Sequence, residues 1–189
     1  MTFVTAFLDA NVLYPATQRS VLLELAARKV FRLLWSEEVH QEWMRNLAAR
    51  NPQIPPGRIV RMRALMEAHI RDGMVTGYEP RIVAIVLPDP DDRHVLAAAV
   101  HGGASVIVTS NLRDFPATAL APFKITAMDA DSFVLQLLAA DADGVVTALA
   151  SDRADLVKPS LDAEAYLNAL ERGGLVATAA ALRPMSDRL

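Results

Sequence analysis

Along this 189-residue chain, short apolar runs alternate with stripes of helical spacing. Phe3-Val4-Thr5-Ala6-Phe7-Leu8 is β-branched and aromatic enough for a buried strand, which Asp9 closes. Residues 20 to 31 read as an amphipathic helix. Ser36 is a good N-cap for a second helix running to about Ala49, ended by Asn51-Pro52. A third follows Pro55-Pro56-Gly57 and runs to about Asp72, with Ile59, Met62, Leu65, Met66 and Ile70 on its apolar face and Arg61, Arg63, Glu67 and Arg71 opposite. Ile82 to Val86 fits either a short strand or a helical turn, since so short a run has no decisive period. Pro90 to Val100 has strong helix-start signals, and Gly102-Gly103 stops it.

Ser105 to Thr109 is the clearest strand, Lys124 to Ala127 a further one, and Ser132 to Ala139 a helix. Asp141-Ala142-Asp143-Gly144 marks a break in composition, so the expected organisation is a domain over residues 1–140 and a helical extension over 141–189, its two helices split near Pro159-Ser160. Strands separated by helices of these lengths imply a mostly parallel sheet with helices on both faces, a three-layer α/β/α fold. Such sheets bind ligands at the carboxyl ends of their strands.

Charge changes the picture. The net charge is −3, yet residues 28 to 71 carry nine Lys or Arg against four acids, while residues 129 to 189 carry ten acids and five bases. The first segment suits a polyanion and the second does not. The absence of cysteine removes disulfides, thiolate metal sites and thiol nucleophiles, so a bound metal must sit on oxygen or imidazole. No leader-like or membrane-spanning run is visible, and cytoplasmic location is the expectation.

Asp9 ends the first strand, and Asp114 follows the Ser105–Thr109 strand by a few residues. Glu42 shares a helix stripe with Val39, Trp43 and Asn46, and Asp92 one with Val95, Leu96 and Ala99. An inward carboxylate must be paired, hydrogen-bonded or metal-bound, and neither stripe holds a Lys or Arg. Each acid also has an ordinary alternative: Asp89 as an N-cap with Asp92 completing a capping box, Asp114 capping a turn, Asp9 a turn residue. Together they form an all-oxygen cluster that suits Mg²⁺ or Mn²⁺ and phosphodiester cleavage. His94 is expected on the face opposite Asp92, and Asp91 about 100° from it. His40, His69, His94 and His101 have no zinc-ligand spacing, and Trp35 and Trp43 read as core. Arg58, Arg61 and Arg63 lead the candidates for holding RNA phosphates.

Four motifs now stand in order: Phe7-Leu8-Asp9-Ala10-Asn11-Val12-Leu13, Glu42, Asp89 to Ala99, and Val108-Thr109-Ser110-Asn111-Leu112-Arg113-Asp114-Phe115. On these the chain resembles a PIN domain over residues 3 to about 135, and more narrowly the VapC toxins of bacterial type II toxin–antitoxin pairs, in a longer branch with a C-terminal extension. The resemblance implies a PIN-like fold and a Mg²⁺- or Mn²⁺-dependent endoribonuclease using metal-activated water. It implies Asp9, Glu42, Asp92 and Asp114 as metal-binding and catalytic acids, with Asn11, Thr109 and Asn111 supporting them. Implied partners are RNA and a cognate antitoxin, with a homodimer possible and no membrane. Many relatives carry an aspartate where this chain has Asn111. Rival readings are a PIN nuclease of RNA maturation or turnover and a catalytically idle module binding through its tail. A phosphatase with nucleophilic Asp9 is disfavoured because position 11 is Asn rather than Asp.

Overall fold

The computed structural model describes residues 4–156 and 160–189. Phe3 and Pro159, named in the expected first strand and tail split, lie outside them. The chain opens with β1 (Thr5–Leu8), continues through the one-turn helix α1 (Ala10–Leu13) and α2 (Ala16–Ala27), and reaches β2 (Arg32–Leu34). Then come α3 (Glu37–Arg50), α4 (Pro56–His69) and the short α5 (Glu79–Ile82). A 3-10 turn at Pro90–Asp92 leads into α6 (Arg93–Gly102), β3 (Val106–Val108), another 3-10 turn at Leu112–Asp114, and α7 (Ala117–Leu120). β4 (Thr126–Met128) completes the strands, and α8 (Ala130–Ala140), α9 (Ala142–Asp155), α10 (Ala163–Arg172) and α11 (Val176–Leu182) follow.

The four strands are parallel in the order β2-β1-β3-β4. Ala6, Phe7, Leu8, Val106, Ile107 and Val108 are buried, as expected of parallel strands covered on both faces by helices. The fold is a three-layer α/β/α arrangement with C-terminal helices. From β1 the chain runs to β2 on one side, while β3 and β4 lie on the other, so the order reverses between β1 and β3. That reversal opens a crevice at the strands' carboxyl ends, bounded by Asp9 and Thr109. Asp9 N–H donates to Val108 O at 3.1 Å, which fixes how far the two chain ends stand apart.

Several elements differ from expectation. The helix expected over residues 20 to 31 starts earlier and stops at Ala27, where a left-handed Lys29 (φ 60°) closes it, and β2 follows. β2 has no signature in the sequence, because three residues are too few for a period. Ile82 to Val86 is no strand: Ile82 ends α5, and Val83 and Val86 are exposed. On α4, Ile59 and Met66 are buried, but Leu65 is 61% exposed, so its apolar stripe is wider than the surface it meets. Ser36 does cap α3, accepting from Val39 N–H, and Gly103 ends α6 with φ 71°, a left-handed turn that favours glycine. Trp35 and Trp43 are fully buried on either side of His40.

Among the described residues the tail carries three α-helices where two were expected, and Asp141 stands at the junction between α8 and α9, accepting from Gly144 N–H. Its apolar face, Tyr166, Leu167 and Leu170, is buried within the chain itself. A polar knot holds it there. Asp152 on α9 is 7% exposed and accepts from Ser20 Oγ of α2 at 2.5 Å and from Tyr166 Oη of α10 at 2.7 Å. Nearby, Gln18 Nε2 donates to Gly173 O at 3.0 Å, and a β-carbon on Gly173 would stand 2.5 Å from Thr17 Cβ. Between α2, α4, α9 and α10 lies a largely apolar cleft of about 730 Å³ lined by Leu23, Met62, Leu65 and Leu156.

Asp152→Ala strips the Ser20 and Tyr166 hydroxyls of their shared acceptor. It should cost about 2–4 kcal/mol and lower Tm by roughly 5–10 °C, with Asp152→Asn milder, in a calorimetric melt. Unchanged Tm in Asp152→Ala would mean that the knot does not hold the tail.

Candidate metal centre

Asp9 is buried (3% exposed) at the end of β1 and is the N-cap of α1. Its Oδ1 accepts from Ala10 N–H at 2.6 Å, and its Oδ2 accepts from Asn11 Nδ2 at 2.6 Å and Thr109 Oγ1 at 2.7 Å. Asn11 Nδ2 also donates to Thr109 Oγ1 at 2.9 Å, and Asn11 Oδ1 accepts from Ser110 N–H at 2.8 Å. The triad can be built only with an amide at position 11, because an ionised carboxylate has no proton to donate. Thr109 is fully buried and uses its whole valence, donating to Asp9 and accepting from Asn11 and from Asn111 N–H at 3.0 Å. Among the described residues one lone pair of Asp9 Oδ1 stays unused.

Asp92 closes the 3-10 turn ahead of α6 and makes no side-chain cap hydrogen bond, so the capping-box alternative does not hold. Its Oδ2 is buried without any hydrogen-bond partner. Asp89, Asp92 and Asp114 each offer an oxygen within 4.8 Å of the other two. Oxygens around one octahedral Mg²⁺ at about 2.1 Å lie roughly 3–4 Å apart, so small side-chain movements would close such a shell. Asn111 Nδ2 donates to Asp114 Oδ2, and the Arg113 Nε lies 3.6 Å from the same oxygen. Asp89 was expected only as a cap. It does accept from Asp91 N–H at 2.9 Å, yet it also joins this cluster; the signal available was three aspartates in four residues.

The charges are felt throughout. Burial, then Asp9, Asp89, Asp114 and Glu42, push the Asp92 carboxyl up to about 7. Burial raises Asp9 too, opposed by its hydrogen bonds from Thr109, Ala10 and Asn11 and by His94. Glu42 on α3 is half-buried and raised by burial, by Asp9 and by Asp91; Arg45, one turn on, opposes this, so that stripe does have a basic neighbour. The structure therefore gathers oxygens of Asp92, Asp114 and Asp89 within 4.8 Å of one another and sets Asp9 and Glu42 in the same field. A divalent cation fits this donor set, since crowded carboxylates with an orphaned buried oxygen need a positive charge to ionise together.

His94 is half-buried with an unpartnered Nδ1, and the acids whose field it feels are Asp9, Glu38 and Asp91. One expected placement changes. Arg63 is not a free cation: it grips both oxygens of Glu37 at 2.8 and 2.5 Å and Glu67 Oε1 at 2.8 Å, while Arg58 and Arg61 remain exposed.

A family model described as PIN domain matches residues 5–113, and one described as VapC50 C-terminal domain matches residues 130–184. A protein of Mycobacterium tuberculosis (strain H37Rv) named "Putative ribonuclease VapC50" is 57% identical over 47 residues, 25% of this chain and 28% of that protein. This alignment thus spans little more than a quarter of the relative. No solved structure gives a significant match. With a PIN model covering more than half of its length and a VapC50-type segment behind it, the chain belongs to the PIN-domain family, as a VapC-like member with a C-terminal extension.

Proposed function

We propose that this protein is a metal-dependent endoribonuclease, the toxin of a type II toxin–antitoxin pair, acting on RNA in the cytoplasm and restrained by a cognate antitoxin protein. The observation that carries the reading is the buried, unpartnered Asp92 Oδ2 among Asp89 and Asp114, beside Asp9 and Glu42. The family supports it, as does the name of the mycobacterial relative. Among the described residues no helix is long and apolar enough to cross a membrane.

In this reading Asp9, Glu42, Asp92 and Asp114 hold Mg²⁺ or Mn²⁺, and Asp89 is added to them as a ligand. The cation, when bound, supplies Lewis acidity that activates water and offsets charge on the phosphate. The chain's own work is positioning. Asn11 and Thr109 fix the Asp9 carboxylate from behind, leaving one Oδ1 lone pair for the site. Asn111, where many relatives carry an acid, orients Asp114 by donating to it. Residues 141–189 stay with the nuclease unit, since their apolar helix face is spent on the core and is not open to a partner.

Asp9→Asn and Asp92→Asn should each abolish Mg²⁺- or Mn²⁺-dependent RNA cleavage while the circular dichroism spectrum is kept; full activity in Asp92→Asn would refute the site. Asp89→Asn should lose about 10- to 100-fold, as for other groups that complete a metal site. The exposed Asp91 changed to Asn should stay near wild type.

A pH dependence follows for the metal-free protein. The folded Asp92 carboxyl holds its proton up to about 7, above the model-peptide value of 3.8. Its contribution to stability is therefore full below pH ~4 and is lost as pH rises through ~7. The metal-free Tm should fall between pH 5 and pH 8, Asp92→Asn should flatten that fall, and Mg²⁺ should raise Tm more at pH 8 than at pH 5. Equal Mg²⁺ effects at both pH values would contradict the assignment.

A further inference from the structure

The nine bases of residues 28 to 71 do not share one face. Arg28 is tied to Glu24 at 2.6 Å and Arg63 to Glu37 and Glu67. Lys29, Arg32 and Arg71 instead line a single recess of about 370 Å³, exposed and without an ion pair or side-chain hydrogen bond among the described residues. The buried rings and chains of Phe31 and Leu33 form an apolar floor, and Asp72 is the one acid on the rim.

Lys29 supplies an independent observation. It closes α2 with φ 60°, its N–H donating to Ala26 O and the N–H of Val30 to Leu25 O, both at 2.9 Å. This is the helix stop at which glycine is the usual residue, because a β-carbon is strained there. The chain accepts that strain and delivers a lysine side chain to the recess. A strained position of this kind points to use of the side chain.

The recess is remote from the acids. Arg32 opens β2 opposite Thr5, which opens β1, whereas Asp9 follows Leu8 at the other end. Four residues of strand span ~13 Å at about 3.3 Å each. Three unpaired cations around an apolar floor fit phosphate anions and repel metal ions. We propose that Lys29, Arg32 and Arg71 form an RNA exosite at the amino-terminal end of the sheet, holding backbone phosphates of a strand whose scissile bond lies at the acidic crevice. This inference rests on the ribonuclease reading above.

The test compares recess variants on long and short RNA. Binding of an RNA of ~20 nucleotides is followed by fluorescence anisotropy across salt, without divalent ions. Each single-strand phosphate contact contributes about 0.7 to the slope of log Kd against log salt, so Lys29→Glu with Arg71→Glu should lower it by about 1.4. A dinucleotide, whose one phosphodiester is the scissile bond, is too short to reach from the crevice to the recess, and its cleavage by the same variant should stay at the wild-type rate. Lys29→Gly separates binding from folding: Tm should hold or rise as the left-handed strain is relieved, while the slope falls by about 0.7. Unchanged slopes in both variants, with short-RNA cleavage intact, overturn the exosite alone. Inorganic phosphate that stabilises the protein through Lys29 and Arg71 while the RNA slope is unaffected also overturns it, assigning the recess to a free anion. A wild-type protein that neither binds nor cleaves RNA overturns the ribonuclease reading and the exosite with it.

Discussion

Asp9 is a carboxylate buried at the reversal point of the sheet, and three donors, Ala10 N–H, Asn11 and Thr109, offset what burial costs it. Those donors follow directly on both strands that bound the crevice. α1, just after β1, supplies the first two, and the residue after β3 supplies the third. The hydrogen bonds thus join the carboxyl edge of the sheet to the pairing of β1 with β3, whose register sets Leu8 beside Val108. If the register slipped by one residue, Thr109 would turn away and the carboxylate would be stranded. The site and the fold are specified by the same contacts.

Around this fixed carboxylate the other acids arrive on less regular structure. Asp89 and Asp92 stand on a 3-10 turn, and Asp114 on another. Only Glu42 comes from a long helix, next to the fully buried Trp43. Short turns hold a side chain less rigidly than a strand end, which leaves room for the carboxylates to settle around a cation. Beneath them the tail acts as structure. Asp152 joins α9, α10 and α2, and Asp131 of α8 accepts from the N–H groups of Ala177 and Thr178 at the start of α11, both at 2.8 Å.

Much of this was legible in the residues. The apolar runs located β1, β3 and the following acids, because a strand buried on both faces shows as a continuous run and its ligand edge comes right after it. The helix stripe predicted that Glu42 turns partly inward, where it feels Asp9, and the amide at position 11 matched the hydrogen bonding seen. What escaped was structure shorter than a period. β2 has three residues, and the 3-10 turns that carry Asp92 and Asp114 are as short. Pairing across elements was equally invisible. Arg63 reads as a free base until α4 is set against α3, where Glu37 takes it, and nothing near Tyr166 in the sequence points to Asp152 of α9, to which it donates. Local pattern gives a residue's side of its own element, not the neighbour which that side meets.

The central claim is that Asp92 Oδ2 lacks a hydrogen-bond partner because it is a metal ligand. Anomalous diffraction from crystals grown with Mn²⁺ measures this most directly. The account predicts an anomalous peak bonded to Asp92 and to at least one of Asp9, Asp89 and Asp114. A well-ordered crevice with no peak, or with Asp92 Oδ2 engaged by a protein donor while Mn²⁺ binds elsewhere, would contradict it.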